Sequence, residues 1–469
     1  MFTITGHINM NQVILESLKR IFFTFIHNDK EIYLVGGCVR DLLLGREPKD
    51  YDLCTNATPD EVKKILGAGN YRFIDTGLDY GTITIHDIWD DLFFEITTYR
   101  VDGKYSDGRH PDAVAVTPSL EEDLKRRDFT VNSFAYNIIS ESLVMLDESF
   151  MDDLKYGIIR CVGLPKQRFE EDALRMLRAF RFAAKLGFTI EPETYEAIKE
   201  CASMLLHIPK ERIRQELTGI LLSDNPRYLE LIICTGLEEY IFNGPTPMAD
   251  MLNCPHQNPY HYTDVFHHTL DVIERVPKKS ELRWAALFHD IGKPLVKALK
   301  PGTTDHYRYI GHAKESERMA TELMRTLKFS TRQIELVCKY VRHHDDELAE
   351  CSMSKFRKAL NDIGVDNFLD FMELRKADSS AHCLILQTKY AVNDITKCYE
   401  RYKEVINNPK TALKVEELDI NGYDLMAIGL QGKEIGDALN KLLEKVLEKP
   451  ELNSKKVLEK LVKEMYYGN

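Results

Sequence analysis

Along this chain of 469 residues the spacing of apolar positions changes character near residue 150. Before that point, short runs rich in β-branched and aromatic residues alternate with turn-forming clusters. The segments 31–35, 51–54, 82–86, 92–99 and 143–147 read as strands. From about residue 155 strand signals nearly vanish, and apolar residues recur at helical spacing. The pattern predicts an α/β head over 1–150 and a mainly α-helical remainder, divided at 151–220, 221–250, 251–395 and 396–469. The run Asn243-Gly244-Pro245-Thr246-Pro247 marks a break. No internal repeat or low-complexity tract stands out.

The most informative stretch is LVGGCVRDLLLGREPKDYDL, residues 34–53. An apolar run, Ile32 to Val35, enters Gly36-Gly37 and leaves through a short helical segment, Val39 to Leu44. Glycine permits positive φ and lets the backbone approach a ligand without a Cβ in the way. Successive amides at such a turn can hold a triphosphate, with Arg40 close by. Asp50 and Asp52 follow, and side chains at i and i+2 of a strand share a face. Two adjacent carboxylates repel unless a cation lies between them, so the pair points to Mg²⁺ beside a phosphate. Taken singly, Gly-Gly is an ordinary turn and Asp-x-Asp a solvated loop. In this order they resemble the nucleotidyltransferase superfamily of DNA polymerase β.

A third acid is expected in such a site. Within LFFEITTY, residues 92–99, Glu95 is the only charge, and a lone carboxylate in a buried strand is costly unless it is paired or ligates a metal. The alternative is an edge-strand glutamate facing water. Farther along stands RRDFTVN, residues 126–132. Arginine suits triphosphate oxygens, and Asn or Asp can read ribose hydroxyls, which nominates Arg127, Asp128 and Asn132. The segment EDALRMLRAFRFAAKLGF, 171–188, reads as an amphipathic helix with Asp172 and Arg175 on one face. Arg178 and Arg181 continue the three-residue step.

Together with Glu211-Arg212-Ile213-Arg214-Gln215-Glu216-Leu217, these ordered motifs are similar to the class II tRNA nucleotidyltransferases and bacterial poly(A) polymerases. The resemblance implies a polymerase β-like α/β nucleotidyltransferase head followed by helical neck, body and tail parts. It implies transfer from CTP and ATP to the 3′ end of tRNA, with Asp50, Asp52 and Glu95 catalytic and Asp172 and Arg175 selecting the base. Cytosine and adenine both carry an amine beside a ring acceptor, whereas uracil and guanine present the reverse. Residues 99–112, with Arg100, Asp102 and Arg109, resemble the family's loop for switching from CTP to ATP, which favours full CCA addition. A poly(A) polymerase and an A-adding enzyme share nearly every head motif and stay open as alternatives.

Ten of the fifteen histidines fall between His256 and His382. His-Asp pairs and flanking imidazoles are common ligands of first-row divalent metals. The segment resembles the HD phosphohydrolase superfamily, with His268, His289, Asp290 and Asp378 on its motif. The resemblance implies a second ion held by His312 with His343 or His344, Asp290 bridging the two, and water attacking a phosphate ester. The metal would be Mn, Fe, Ni, Co or Mg, and His267 is read as a neighbour only. A chain that is chiefly such a hydrolase, its head merely binding RNA, is the rival of another class. Intact Asp-x-Asp and EDALR motifs argue against it.

Composition narrows little further. The net charge of −12 disfavours a general nucleic-acid binder but leaves room for a local basic track to a tRNA acceptor arm. Ten scattered cysteines without Cys-x-x-Cys spacing suggest reduced thiols in the cytoplasm. No membrane-length apolar run or signal-like leader is evident. Oligomeric state is left open, a dimer being one option.

Overall fold

The computed structural model describes residues 1–67, 69–75, 77–78, 81–102, 114–244, 246–255, 263–303, 306–381 and 392–468. The chain folds as two compact units, Met1–Gly244 and Pro245–Asn469.

The first unit opens with β1 (Phe2–Thr5), α1 (Gln12–Ile26), β2 (Ile32–Val35), α2 (Gly37–Leu43), β3 (Tyr51–Thr55) and α3 (Pro59–Leu66). Strands β4 (Tyr71–Ile74), β5 (Thr82–Asp87) and β6 (Leu92–Thr98) follow, then the short pair β7 (Arg100–Asp102) and β8 (Val114–Val116). After α4 (Leu120–Lys125) come β9 (Phe134–Asn137) and β10 (Ser142–Met145). Eight strands form one sheet in the order β1-β10-β9-β2-β3-β6-β5-β4, with β3 and β6 parallel. Alternation decides its faces: Ile83, Ile85, Phe94 and Ile96 are buried, whereas Phe93 and Glu95 on the intervening positions are exposed. Helix α3 starts where the sequence asks it to, with Pro59 in its first turn and a reciprocal capping box between Thr58 and Glu61.

The five strand segments read from the sequence are all strands, 143–147 as Ser142–Met145. Strands β1, β4 and β9 of the sheet, and the short pair β7 and β8, were not legible. β1 is exposed at all four positions and β4 alternates only partly exposed residues, so neither carries a buried apolar pattern. In β9, FAYN is short and follows directly on a helical turn, Thr130–Asn132.

The helical part of this unit contains α5 (Ser149–Tyr156), α6 (Pro165–Glu171), α7 (Leu174–Leu186), α8 (Pro192–Cys201), α9 (Lys210–Leu221), α10 (Tyr228–Cys234) and α11 (Leu237–Phe242). The single helix expected over EDALR is two. Asp172 is extended, with φ −145° and ψ 103°, and its side chain accepts a hydrogen bond from the Leu174 amide at 3.0 Å. Asp172 therefore belongs to the junction, and it shares no helix face with Arg175.

The second unit is helical: α12 (Pro247–Met251), α13 (Val265–Arg275), α14 (Ser280–Phe288), α15 (Lys293–Val296), α16 (His312–Thr326), α17 (Thr331–His343), α18 (Met353–Ile363) and α19 (Val365–Ala381), then four helices between Val392 and Tyr467. Trp284 is fully buried on α14 against Phe288 and Phe329, at 5.4 and 5.1 Å between ring centroids. Among the described residues no helix is long and apolar enough to cross a membrane.

Gly292 sits where α16 presses closest. A Cβ there would lie 2.6 Å from the Ser316 amide nitrogen and 2.9 Å from the His312 carbonyl oxygen. Its own N–H donates to Ser316 Oγ at 2.9 Å. Gly292→Ala should cost about 1–3 kcal/mol through overpacking. At about 2–4 °C per kcal/mol for a unit of this size, calorimetry should show a clear fall in the melting temperature. An unchanged transition would contradict the tight approach.

Candidate active sites

In the head, the turn between β2 and α2 places Gly36 at φ +79°, a conformation glycine adopts without strain. A Cβ there would come to 3.0 Å from Arg127 Nη1, so a larger residue would also press on that guanidinium. A cavity of about 450 Å³ opens beside it, lined by Gly36, Gly37, Arg40, Asp50, Asp52, Arg127, Asp128, Asn132, Arg178 and Arg181. Ten residues named from the sequence thus share one wall. Cys38, Asp41, Lys49, Phe182 and Lys185 also line it and were not anticipated. Lys49 directly precedes Asp50, and Phe182 and Lys185 extend the periodic face of α7, which was the available signal. The guanidinium carbons of Arg40, Arg178 and Arg181 lie 5.4, 5.3 and 4.3 Å from the Phe182 ring centre, so one aromatic ring seats three cations.

The carboxylates meet through the backbone ladder. Asp52 on β3 pairs in register with Glu95 on β6, so both side chains leave the sheet on the same face. Burial first, then Glu95 and Asp50, push the Asp52 carboxyl up to about 6, with Arg127 opposing. A buried carboxylate with a second acid paired beside it suits a divalent cation. Glu95 itself is exposed, contrary to the expectation of a buried charge. Its strand is central, between β3 and β5, and the open face of the sheet supplies the water.

The cationic wall is held by its own acids. Arg40 Nη1 donates to Asn132 Oδ1 at 2.5 Å, and Asn132 Nδ2 donates to Asp128 Oδ1 at 3.1 Å. Arg178 donates twice to Asp128 Oδ2, at 2.7 and 2.9 Å. Burial opposes charge on Asp128, but Arg178 and the Asn132 hydrogen bond hold its carboxyl at about 2. Arg127 pairs with buried Asp123 at 3.1 Å, and Arg181 pairs with Glu216.

Asp172 and Arg175 do not line this cavity. Arg212 of α9 donates to Asp172 Oδ2 at 2.9 Å. Arg175 is buried, bonded to Glu171 at 2.5 Å and to the Arg126 carbonyl at 2.9 Å. The intrahelical pairing that their spacing would suggest is replaced by partners on neighbouring elements. Of the expected loop, Arg100 begins β7 and Asp102 ends it, while Arg109 lies outside the described residues.

The second unit gathers a separate cluster. His268 comes from α13, His289 and Asp290 follow α14, His312 begins α16, His344 caps α17, and Asp378 lies on α19. Two triads each bring one ligand atom per residue within 4.8 Å of one another: His268, His289 and Asp378, and Asp290, His312 and His344. Asp290 sits between them, its Oδ2 3.3 Å from His289 Nε2 and its Oδ1 3.3 and 3.6 Å from His312 and His344 Nε2. Three of the imidazoles are aimed the same way. Nδ1 of His289, His312 and His344 lies 2.7, 2.9 and 2.7 Å from the carbonyls of Ala286, Tyr309 and Val341. That fixes the tautomer and turns each Nε2 inward, as metal-ligating histidines require. His289 Nε2 is buried without a hydrogen bond among the described residues. Burial opposes charge on Asp290, yet His289 and Lys293 keep its carboxyl well below the usual range. The residues therefore fit one or two divalent ions.

His344 stands in the second triad and His343 does not. His343 is bound through Nδ1 to Asp346 at 2.7 Å and through Nε2 to Asp362 at 2.8 Å, and it takes no place in either triad. Burial works against its charge, but the two carboxylates raise its pKa to about 9. His267 bonds to the N-cap residue Asp264.

Residues 32–160 match the poly A polymerase head domain, 187–250 the probable RNA and SrmB-binding site of polymerase A, and 260–387 the HD domain. The CCA-adding enzyme of Lactiplantibacillus plantarum is 44% identical over 211 residues, covering 45% of this chain and 50% of that one. The CCA-adding enzyme of Limosilactobacillus reuteri is 46% identical over 211 residues with the same coverage. The chain thus spans about half the length of the curated relatives it matches. The Bacillus stearothermophilus CCA-adding enzyme in complex with CTP superposes with a TM-score of 0.68 over 98% of each chain, at 26% identity. A polymerase-type nucleotidyltransferase head, an RNA-binding segment and an HD domain define the class. Over residues 32–160 and 187–250 the chain carries the head and RNA-binding domains of the poly A polymerase type, and over 260–387 an HD domain.

Proposed function

We propose that this chain is a cytoplasmic CCA-adding tRNA nucleotidyltransferase, with 1–150 as head, 151–220 as base-selecting neck, 221–250 as body, 251–395 as an HD phosphohydrolase and 396–469 as a tRNA-contacting tail. The observation that carries the reading is the in-register pair Asp52–Glu95, with Asp52 lining a cavity walled by arginines. In the reaction, the tRNA 3′-hydroxyl oxygen bonds to the α-phosphorus of CTP or ATP, and the bond to the β-phosphate oxygen breaks to release pyrophosphate. Mg²⁺ held by Asp50 and Asp52 supplies neutralising charge at the phosphates. Glu95 orients the attacking hydroxyl and accepts its proton. Arg40, Arg127, Arg178 and Arg181 face the triphosphate, with Gly36 and Gly37 giving it room, and Asp128 and Asn132 hold that wall and contact ribose.

Base choice falls to Asp172 and Arg175. Arg212 and the Leu174 amide orient Asp172, and Glu171 with the Arg168 and Arg126 carbonyls orients Arg175. Asp172 accepts from the exocyclic amine, and Arg175 donates to the adjacent ring acceptor.

For the second unit, His268, His289, Asp290, His312, His344 and Asp378 hold divalent transition metal or Mg²⁺ and act on phosphate esters, such as a damaged or cyclic 3′ end. All nine described cysteines are free, as a reducing compartment keeps them.

The test is incubation with tRNA ending before CCA, with CTP, ATP or both, resolved at single nucleotides. Two C and one A followed by arrest supports the reading. A long A ladder makes the chain a poly(A) polymerase, and a single A added only after CC makes it an A-adding enzyme. Arg175→Ala is expected to lose about tenfold or more of the CTP-over-UTP preference, given about 1–3 kcal/mol for a base-edge contact. Unchanged selectivity would reject its role as template.

A further inference from the structure

The triphosphate cavity reaches Asp50 and Asp52 but is not lined by Glu95. Its lining comes from the β2–α2 turn, the approach to β3, the Arg127–Asn132 segment and α7, and among the described residues none comes from β4, β5 or β6. In-line displacement needs the attacking hydroxyl opposite the departing pyrophosphate. The incoming RNA must therefore reach the acids over β6 and β5.

That side carries an aromatic surface. Phe93 is two residues before Glu95 on β6, on the same face and about 7 Å away along the strand. It is 55% exposed. Across the ladder Phe93 pairs with His86 of β5, and the two rings stack at 4.3 Å between centroids with 2° between planes. Asp91, at 2.7 Å from His86 Nε2, holds the imidazole in place. The next residue in the same row is Arg72 of β4, exposed and opposite His86. A large apolar ring left in water on a catalytic face, already backed by a second ring and with a cation beyond, is the arrangement that receives unpaired bases.

Resting on the nucleotidyl-transfer reading above, we propose that Phe93, backed by His86, stacks on the nucleobase of the RNA 3′-terminal nucleotide and so sets its ribose hydroxyl beside Glu95. Stacking accepts any base, because every base offers a π face. The surface therefore suits a 3′ end whose last base changes from one addition to the next. Selection of the incoming nucleotide stays with the other side of the acids.

The experiment is steady-state extension of a tRNA substrate by wild type, Phe93→Ala, Phe93→Leu and Phe93→Trp, titrating RNA and nucleotide separately. Expected is a rise of about tenfold in the KM for RNA in the Ala and Leu variants, with the KM for CTP within about twofold and the Trp variant near wild type. Leu keeps apolar bulk without a ring, so wild-type behaviour in that variant overturns stacking. An RNA whose 3′-terminal nucleotide lacks its base should bring wild type and Phe93→Ala to the same KM, and a persisting difference overturns the assignment to that base. If Phe93→Ala leaves the KM for RNA unchanged while the wild type extends RNA, the aromatic surface has another use and the proposal fails. If the wild type transfers to no RNA, the underlying reading fails instead.

Discussion

Asp52→Asn is expected to slow nucleotidyl transfer by about 10³-fold or more while leaving the melting transition of the first unit close to wild type. The change removes one negative charge and almost no volume. It takes away a carboxylate that burial, and after it Glu95 and Asp50, already push toward protonation, so its charge adds little to stability. A cation site at phosphate contributes several kcal/mol to the barrier, and every ~1.4 kcal/mol is tenfold in rate. Single-turnover extension of tRNA with radiolabelled CTP at saturating Mg²⁺ measures it. A rate within tenfold of wild type would remove Asp52 from the chemistry. Hydrolysis by the second unit serves as the internal control and should not change.

The complementary change is Asp290→Asn. It should abolish metal-dependent hydrolysis of a 2′,3′-cyclic nucleotide, by about 10³-fold, and leave CCA addition intact. Asp290 is the only residue of the cluster within 4 Å of His268, His289, His312 and His344 alike. Removing its charge therefore weakens both triads at once. The same change also breaks the contact with Lys293, whose Nζ lies 2.6 Å from Asp290 Oδ2, and breaking a buried pair costs about 3–5 kcal/mol. His344→Gln separates the effects, because it removes one ligand and leaves the Lys293 pair. Loss of hydrolysis and of Mn²⁺ binding by calorimetry in both variants supports the metal reading. Hydrolysis surviving in both would sink it.

How far the sequence reached can be judged residue by residue. The Gly36-Gly37 turn, Asp52 and the arginines of RRDF and α7 were legible because each depends on local rules, whereas Asp50, expected on the same strand face as Asp52, stands in a bend one residue before β3. Glu95 was found for a reason the structure corrects. It is exposed, and what ties it to Asp52 is pairing between strands 43 positions apart, which no local pattern encodes. The break at Asp172 was missed because EDALRMLRAF has uninterrupted helical periodicity. The Asp172 side chain competes for the Leu174 amide, and Arg212 on a distant helix holds it there. His343 and His344 were inseparable by spacing alone. The carboxylates that claim His343, Asp346 and Asp362, are chosen by the packing of α17 against α18.

The parallel pairing of β3 with β6 has a consequence for how this catalyst can fail. The separation of Asp52 and Glu95 is set by main-chain hydrogen bonds, so replacing a neighbouring core side chain changes it little. A slip of one residue between the strands, however, would turn one acid inward while the other stayed out. Gradual loosening is thus closed to the pair. Its geometry behaves as a digital setting, right or wholly wrong, and the surrounding core can drift in sequence without detuning it.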